Sequence, residues 1–446
     1  MRKILIVGAG TSGLQLAHGL LHHGYDVTVI NGSSSQEIRT SLPSITQFAL
    51  PTALAHEQTA GLAMWEHLAP RISGTTLHLY PPDSAPTTME SAFDTYGVSV
   101  DRRVRIADWL EFFEDQGGKA IIHGVTVSDL DYFTRMFELV ILAVGHGELG
   151  QLFDQDTQEP STRPRRVAQA IVEGVPHTPY AQWHIVDPPP DARPGAMFEP
   201  VVSDYAEVAS APQVRAILSP VLVDSGPHHV LQLVGSPGGH METWPDRPGP
   251  QETWRLMRNL LDTHAPHLAL RLEKASLLED TDAGVHTYDP HVRTPVATLP
   301  SGGLVLGMAD AVISTDDPIA AQANNVSSAS ANHYLSRILA HGSAEFDREW
   351  MTQTFTGLWN GSPTQEFPFA GMGQAAVGLS QVLDQIWSPT APDHLGEVLT
   401  AATKHQKIAD RFLSDLDDPR RYAQWLYDPE SALDFLAKCA SSTVLD

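Results

Sequence analysis

Gly8, Gly10 and Gly13 stand in the run VGAGTSG, directly after the apolar stretch Lys3 to Val7, and this pattern constrains the chain more than any other. A G-x-G-x-x-G turn between a buried strand and a helix is built to hold a nucleotide diphosphate. Gly8 allows the tight turn, Gly10 lets the backbone approach a phosphate, and Gly13 lets the helix pack close to the sheet. The helix, opening at Thr11 and Ser12, then meets the anion with free N–H groups. The context agrees. Ile4, Leu5, Ile6 and Val7 read as a buried strand, Leu14, Ala17 and Leu21 as an apolar helical face, and Val27 to Ile30 as a second strand.

Length, charge and cysteine usage narrow the alternatives. A chain of 446 residues is long enough for two or three domains. Its 28 basic and 53 acidic residues give a net charge of −25, so the surface repels phosphodiester backbones and anionic lipid, and neither nucleic acid nor membrane is an expected partner. Cys439 is the only cysteine, which rules out an intrachain disulfide or a cysteine metal cluster. The pairs His22 with His23 and His264 with His267 lack carboxylate or cysteine at ligand spacing and read as surface residues, so no metal site is expected. No apolar run approaches the roughly 20 residues of a spanning helix. With the first strand already begun at Lys3, a cytoplasmic protein is expected. No metalloprotease helix, Gly-Lys-Ser/Thr phosphate loop or nucleophile elbow is present.

The nucleotide domain continues far along the chain. An NAD-reading fold usually ends its second strand in an acid that bonds the ribose, and here Asn31 takes that place. Glu138 to Gly145 (ELVILAVG) reads as a buried parallel strand, and Gly302 to Asp310 (GGLVLGMAD) as another that ends in an acid. Asp317, Pro318, Gln322, Ala323, Asn324 and Asn325 follow and open a helix that runs on through Tyr334 and Leu339. One nucleotide fold closed by such distant residues, with a domain inserted between them, suits FAD. Its adenine end sits on the first helix, and its ring reaches a second helix N-terminus that stabilises negative charge at the flavin N1–C2=O edge. Asp310 would bond a ribityl hydroxyl, and the backbone near Ala323 and Asn324 would face the ring. A surface loop capped by Asp316 or Asp317 is the alternative reading.

The remaining chain divides in two. From about Thr162 to His291, prolines and short alternating runs such as Val221 to Val223 and His229 to Val234 predict a sheet, with exposed connections at Pro188 to Pro190 and Ser236 to Gly239. From Ser343 onward, Phe346, Trp350, Phe355 and Trp359, then Ile408, Phe412, Leu416 and Trp425, recur at helical spacing and read as core. Asp417, Asp418, Arg420 and Arg421 read as a solvated turn. The expected domains are therefore an FAD-binding domain from 1–165 and 292–342, a substrate-binding sheet domain from 166–291, and a helical C-terminal region from 343–446.

The order of VGAGTSG, EIRTSLPSITQ, DRRVR, AVGHGELG, RTPVATLPSGGLVLGMAD and DPIAAQANN, followed by a helical tail, resembles the two-component FAD-dependent styrene and indole monooxygenases over nearly the whole chain. The resemblance implies an α/β fold: a Rossmann-like FAD-binding domain of p-hydroxybenzoate-hydroxylase type, an inserted mostly antiparallel sheet that floors the flavin ring, and a helical C-terminal region. It places FAD on Gly8, Gly10, Gly13, Arg103, Asp310, Pro318, Ala323 and Asn324, and the wider cofactor set takes in Thr11, Ser12, Asn31, Arg39, Val125, Gly145, Gln322 and Asn325. Thr46 and Gln47, with Ile45 before them, match the segment that the family sets beside flavin and substrate. Two departures stand out. Ala321, Gln322 and Ala323 replace the family's Gly-Gln-Gly type turn, and Ile45 stands where styrene-type members have Asn, which leaves the substrate open.

By that resemblance the chain takes up reduced FAD, forms a C4a-(hydro)peroxyflavin with O₂, and epoxidises a small aromatic alkene such as styrene or indole. The flavin makes the bonds, so no acid–base residue is required, and the protein binds, orients and excludes water. AVGHGELG lacks the acid and arginine with which single-component hydroxylases serve NADPH, which implies a separate NADH:flavin reductase as partner. The Trp-x-Trp-x-Ile-Pro segment of flavin halogenases is absent. The resemblance also admits a homodimer. Three other readings stay open: a tailoring oxygenase acting on a larger biosynthetic intermediate, a flavin-binding protein without turnover, and, against Asn31 and Asp310, a simple NAD-dependent dehydrogenase. Asp310→Ala is expected to weaken FAD binding, and an unchanged dissociation constant by flavin fluorescence titration would remove the ribityl contact.

Overall fold

The computed structural model describes residues 1–45, 48–80, 86–145, 148–156, 164–186, 214–235, 239–315, 321–386 and 392–442. The first strand, β1 (Lys3–Val7), is fully buried at Ile4, Leu5 and Ile6 and lies inside a six-stranded sheet. Each such side chain contributes about 1.5–3 kcal/mol on burial. The strand order is β14 (Val296–Thr298), β15 (Leu304–Gly307), β6 (Leu139–Leu142), β1, β2 (Asp26–Asn31) and β5 (Lys119–Ile122). All neighbours run parallel except the edge pair β14 and β15. β15 joins β6 with Leu306 beside Ile141, so a strand from the last third of the chain completes the sheet, as the late acid segment predicts. Helix α1 (Thr11–His22) follows β1, and α8 (Gln322–His341) packs along it, with Gly19 against Leu335. The Rossmann-like α/β fold read from the sequence is therefore the fold observed.

The second sheet has eight strands: β11 (Ser276–Leu277), β7 (Arg165–Glu173), β10 (Gly226–Val234), β9 (Val214–Val223), β8 (Tyr180–Val186), β3 (Arg71–Tyr80) and β4 (Thr87–Val98) in order, with β12 (Ala283–Tyr288) on β7. Every pairing is antiparallel except β3 with β8. β3 and β4 come from inside the 1–165 range assigned to FAD binding. Which sheet they extend is set by tertiary pairing. One face of this sheet carries Ala168, Ala170, Val172, Leu231 and Leu233 against α6 (Pro250–His264) and α7 (Pro266–Arg271). The opposite face carries Val167, Gln169, Gln232 and Val234 toward the first sheet. A two-stranded ribbon of β13 (His291–Val292) and β16 (Ile313–Ser314) flanks the site.

The chain up to β6 also contains α2 (Ser35–Arg39), α3 (Pro51–Thr59), α4 (Arg102–Asp115) and α5 (Val127–Phe133). The tail is helical as expected: α9 (Arg348–Asn360), α10 (Met372–Gln385), α11 (Asp393–Ala402), α12 (Gln406–Ser414) and α13 (Pro429–Ser442). Its aromatic stripe is core, with Trp350, Phe355, Phe412 and Trp425 buried. The segment around Asp417 corrects the reading of a solvated turn. Asp417 accepts from Thr52 N at 2.9 Å and Thr52 Oγ1 at 2.6 Å, while Arg420 pairs with Asp418 and donates to Pro368 O and Ala370 O, so the tail is fastened to α3 here. Pro188 to Pro190 and Ser236 to Gly238 lie outside the described residues.

His333, in the buried face of α8, contacts Thr354 O through Nε2 at 3.1 Å, and burial pulls its pKa down to about 4 from 6.5. A depressed imidazole pKa gives stability that is full above the unfolded value and lost as pH falls through the folded one. Urea midpoints are therefore expected to drop between pH 7 and pH 4, and His333→Gln is expected to shrink that difference; an unchanged difference would remove His333 as a contributor.

Candidate active site

Gly8 sits at φ +111°, and a Cβ there would fall 2.4 Å from Ala143 O; one at Gly13 would fall 2.2 Å from Gly8 O. These two contacts press the turn and α1 against the end of β6 and leave the helix N-terminus open. Gly10 caps α1 without any side-chain bond, so the first N–H groups, at Thr11 and Ser12, face outward. An open cleft lies in front of them, lined by Gly10, Thr11, Ser12, Ala143 and Gly145, by Asp310, Ala323, Asn324 and Ser327, and by Ile45, Val100, Arg102, Arg105 and Tyr288. Of the residues expected from sequence, this brings together Gly10, Thr11, Ser12, Ile45, Gly145, Asp310, Ala323 and Asn324, while Gly8 and Gly13 shape the turn behind them.

Others have different work. Asn31 accepts from Ala9 N at 3.2 Å and donates to Ser33 O at 2.6 Å, tying the end of β2 to the glycine turn. An amide can do both, whereas a carboxylate could only accept. Arg39 closes α2 onto α4 through Asp108 and Glu111. Val125 lies half-buried in the loop after β5 and does not line the cleft. Gln322 donates to Leu416 O at 2.9 Å and Asn325 to the same carbonyl at 3.2 Å, so the first turn of α8 holds the C-terminal region with these two side chains and turns Ala323 and Asn324 to the cleft. Thr46, Gln47 and Pro318 lie outside the described residues.

The arginine expected at Arg103 is displaced by one position. Arg103 bonds Asp101 at 2.6 Å and Asp282 at 2.9 Å and faces away, whereas Arg102 lines the cleft with a nitrogen 3.6 Å from where a Gly10 Cβ would stand. α4 begins at Arg102, so residues 102 and 105 share a face and 103 turns about 100° from it. Sequence reasoning also missed Tyr288. It sits on β12 beside Asp310 and Arg102, and burial with the Asp310 charge holds its hydroxyl protonated, well above its usual range.

The segment before Thr46 is fixed to the second sheet. Gln169 Nε2 donates to Ser44 O at 3.0 Å, and the His286 ring, kept neutral by burial, bonds Pro43 O at 2.8 Å. Ile45 packs with Val167, Val234 and Tyr288, an apolar wall next to the polar cleft. Ala321 caps α8 in the left-handed region at φ +53°, the conformation for which a glycine is usual; its methyl costs about 1 kcal/mol. Among the described residues no group of three or more His, Cys, Asp or Glu is placed to hold a metal, and no helix is long and apolar enough to cross a membrane.

The donor set fits FAD. An open helix N-terminus, glycine backbone and cationic side chain suit a diphosphate, and the Asp310 carboxylate in the same lining suits hydroxyls. Comparison with known proteins agrees. Residues 202–271, across β9, β10, α6 and α7, match the family described as "Styrene monooxygenase A putative substrate binding domain". Styrene monooxygenase StyA of Pseudomonas fluorescens is 26% identical over 351 residues, which cover 76% of this chain and 78% of that one. StyA of a Pseudomonas species is 25% identical with the same coverage. Among solved structures, the flavin-dependent brominase Bmp2 superposes with a TM-score of 0.62 at 11% identity, covering 98% of this chain and 99% of its own. The halogenase PltM gives 0.60 at 12%, covering 94% and 85%. At these identities the structural likeness is one of fold.

Fold and relationship together define the class, a flavoprotein oxygenase. Within it the chain is a distant relative of the styrene monooxygenases, which bears out the resemblance read from its motifs. Arg102→Ala is expected to weaken FAD binding about tenfold with little change in melting temperature. Arg103→Ala, which leaves two buried carboxylates unpaired, is expected to lower stability by about 3 kcal/mol. Equal effects of the two variants on FAD affinity would reject this assignment.

Proposed function

We propose that the chain is the oxygenase component of a two-component system: it takes up reduced FAD from a separate NADH:flavin reductase and uses O₂ to oxygenate the double bond of a small aromatic substrate of the styrene or indole class. The observation that carries this reading is the cleft itself, whose lining brings the open N-terminus of α1 and Arg102 together with Asp310 and the first turn of α8. The relationship to StyA supplies the substrate class. When bound, reduced FAD supplies two electrons; one oxygen atom of O₂ enters the double bond and the other leaves as water.

The protein's own tasks follow from its residues. The N–H groups at Thr11 and Ser12 and the Arg102 guanidinium hold the diphosphate, and Asp310 accepts from hydroxyls of the connecting chain. The first turn of α8 presents backbone N–H groups at Ala323 and Asn324 to the electron-rich edge of the ring. Ile45, Val167 and Val234 keep water from the reacting oxygen, and the strand face behind them sets the shape of the substrate space. Tyr288, held protonated by burial and the Asp310 charge, offers the cleft a hydroxyl and not a base. Nothing here demands a side-chain nucleophile.

The test mixes anaerobic protein and reduced FAD with oxygenated buffer in a stopped-flow instrument, with styrene or indole present or absent. The expected trace shows flavin reoxidised more slowly than free in solution and in step with an oxygenated product. Reoxidation at the free rate with hydrogen peroxide as sole product, for both substrates, would reject a styrene- or indole-class oxygenase.

A further inference from the structure

Arg105 lies one helical turn beyond Arg102, on the same face of α4, and is only 3% exposed. Its Nη1 donates to Glu57 Oε1 at 2.5 Å, and the 1% exposed Glu57 comes from α3. The guanidinium is also flanked by the rings of Trp65 and Trp109, 5.9 Å and 5.5 Å from their centroids. Its Nη2 is buried and meets no acceptor, although Arg105 forms part of the cleft wall. A buried cationic donor without an acceptor is costly, and it persists where a ligand completes it.

We infer that Glu57 holds Arg105 so that its second amino group donates to an anionic phosphate oxygen of the dinucleotide in the cleft, with Arg105 a contact residue and Glu57 a positioning residue. This rests on the FAD reading given above. A guanidinium is planar and can serve a carboxylate on one edge and a phosphate on the other, which a lysine ammonium cannot do in fixed directions. Arg102, exposed at the rim, supplies charge; Arg105, fixed by a carboxylate and two indoles, supplies direction. Because Arg105 is ordered before the ligand arrives, little side-chain entropy is lost on binding. Glu57 also belongs to the helix that follows the Ile45 segment, so one element touches both the cofactor anchor and the substrate-side chain.

The test compares FAD with riboflavin, which lacks phosphate, by fluorescence titration of the full-length protein, with thermal melts of each variant. In Arg105→Lys, and in the double variant Glu57→Gln with Arg105→Gln, which leaves no lone buried charge, the FAD-to-riboflavin affinity ratio is expected to fall at least about tenfold. Glu57→Gln alone is expected to lower the ratio less, since the arginine remains but is no longer aimed. A ratio equal to that of the wild type in the double variant, or equal losses for the two ligands, would overturn the inference and leave the FAD reading intact. Failure of the wild-type protein to bind FAD at all would overturn that reading, and this inference with it.

Discussion

The contact between the glycine turn and the end of β6 is the constraint on which the rest depends. With Gly8 and Gly13 within bonding distance of clashing if either carried a Cβ, α1 is forced close to the sheet, and its N-terminus opens beside Ala143 and Gly145. The next strand over, β15, delivers Asp310 to the same edge, and α8 returns along α1. Any side chain at those glycines would push the helix away from the end of β6. The position of the cofactor site is thus a packing result before it is an electrostatic one.

Charge then works against the average. A protein of net charge −25 collects Arg102 and the Glu57-paired Arg105 at one cleft, while Arg103 and Arg39, outside its lining, are spent on carboxylates. Buried pairs of this kind contribute little net stability, since desolvation offsets most of their attraction, but breaking one is expensive. They therefore act as fixed geometry. Asp101, Asp282 and Glu57 decide which guanidinium nitrogens remain for a ligand and which are already used. The same logic holds the tail, where Thr52 and Asp417 join α3 to the helical region.

The second sheet supplies one side of the cleft. Alternation places apolar residues on both faces, one covered by α6 and α7 and the other turned to the nucleotide domain. Gln169 and His286 reach from that second face to the carbonyls of Ser44 and Pro43, so the segment leading into the substrate side is hung from the sheet by two hydrogen bonds. The Ile45 side chain in this place gives a wall without a donor or acceptor.

What the sequence by itself determined was the local chemistry: the glycine turn, the buried strands at Ile4 and Val140, the late strand, which stops at Gly307 and leads into the turn that carries Asp310, the helix opening at Gln322 and the aromatic stripe of the tail. These are set by backbone freedom and by periodicity, which act over a few residues and can be read from them. The tertiary structure alone decided which side chains face the cleft. DRRVR offers three arginines, and only the start of α4 shows that 102 and 105 look inward while 103 is spent on Asp282, a residue far along the chain. Asn31, Arg39, Gln322 and Asn325 likewise find partners through packing, and β3 with β4 joins a sheet built mostly from residues beyond 165. Hydrogen-bond partners distant in sequence have no local signature, because their energy appears only once the chain has closed around them.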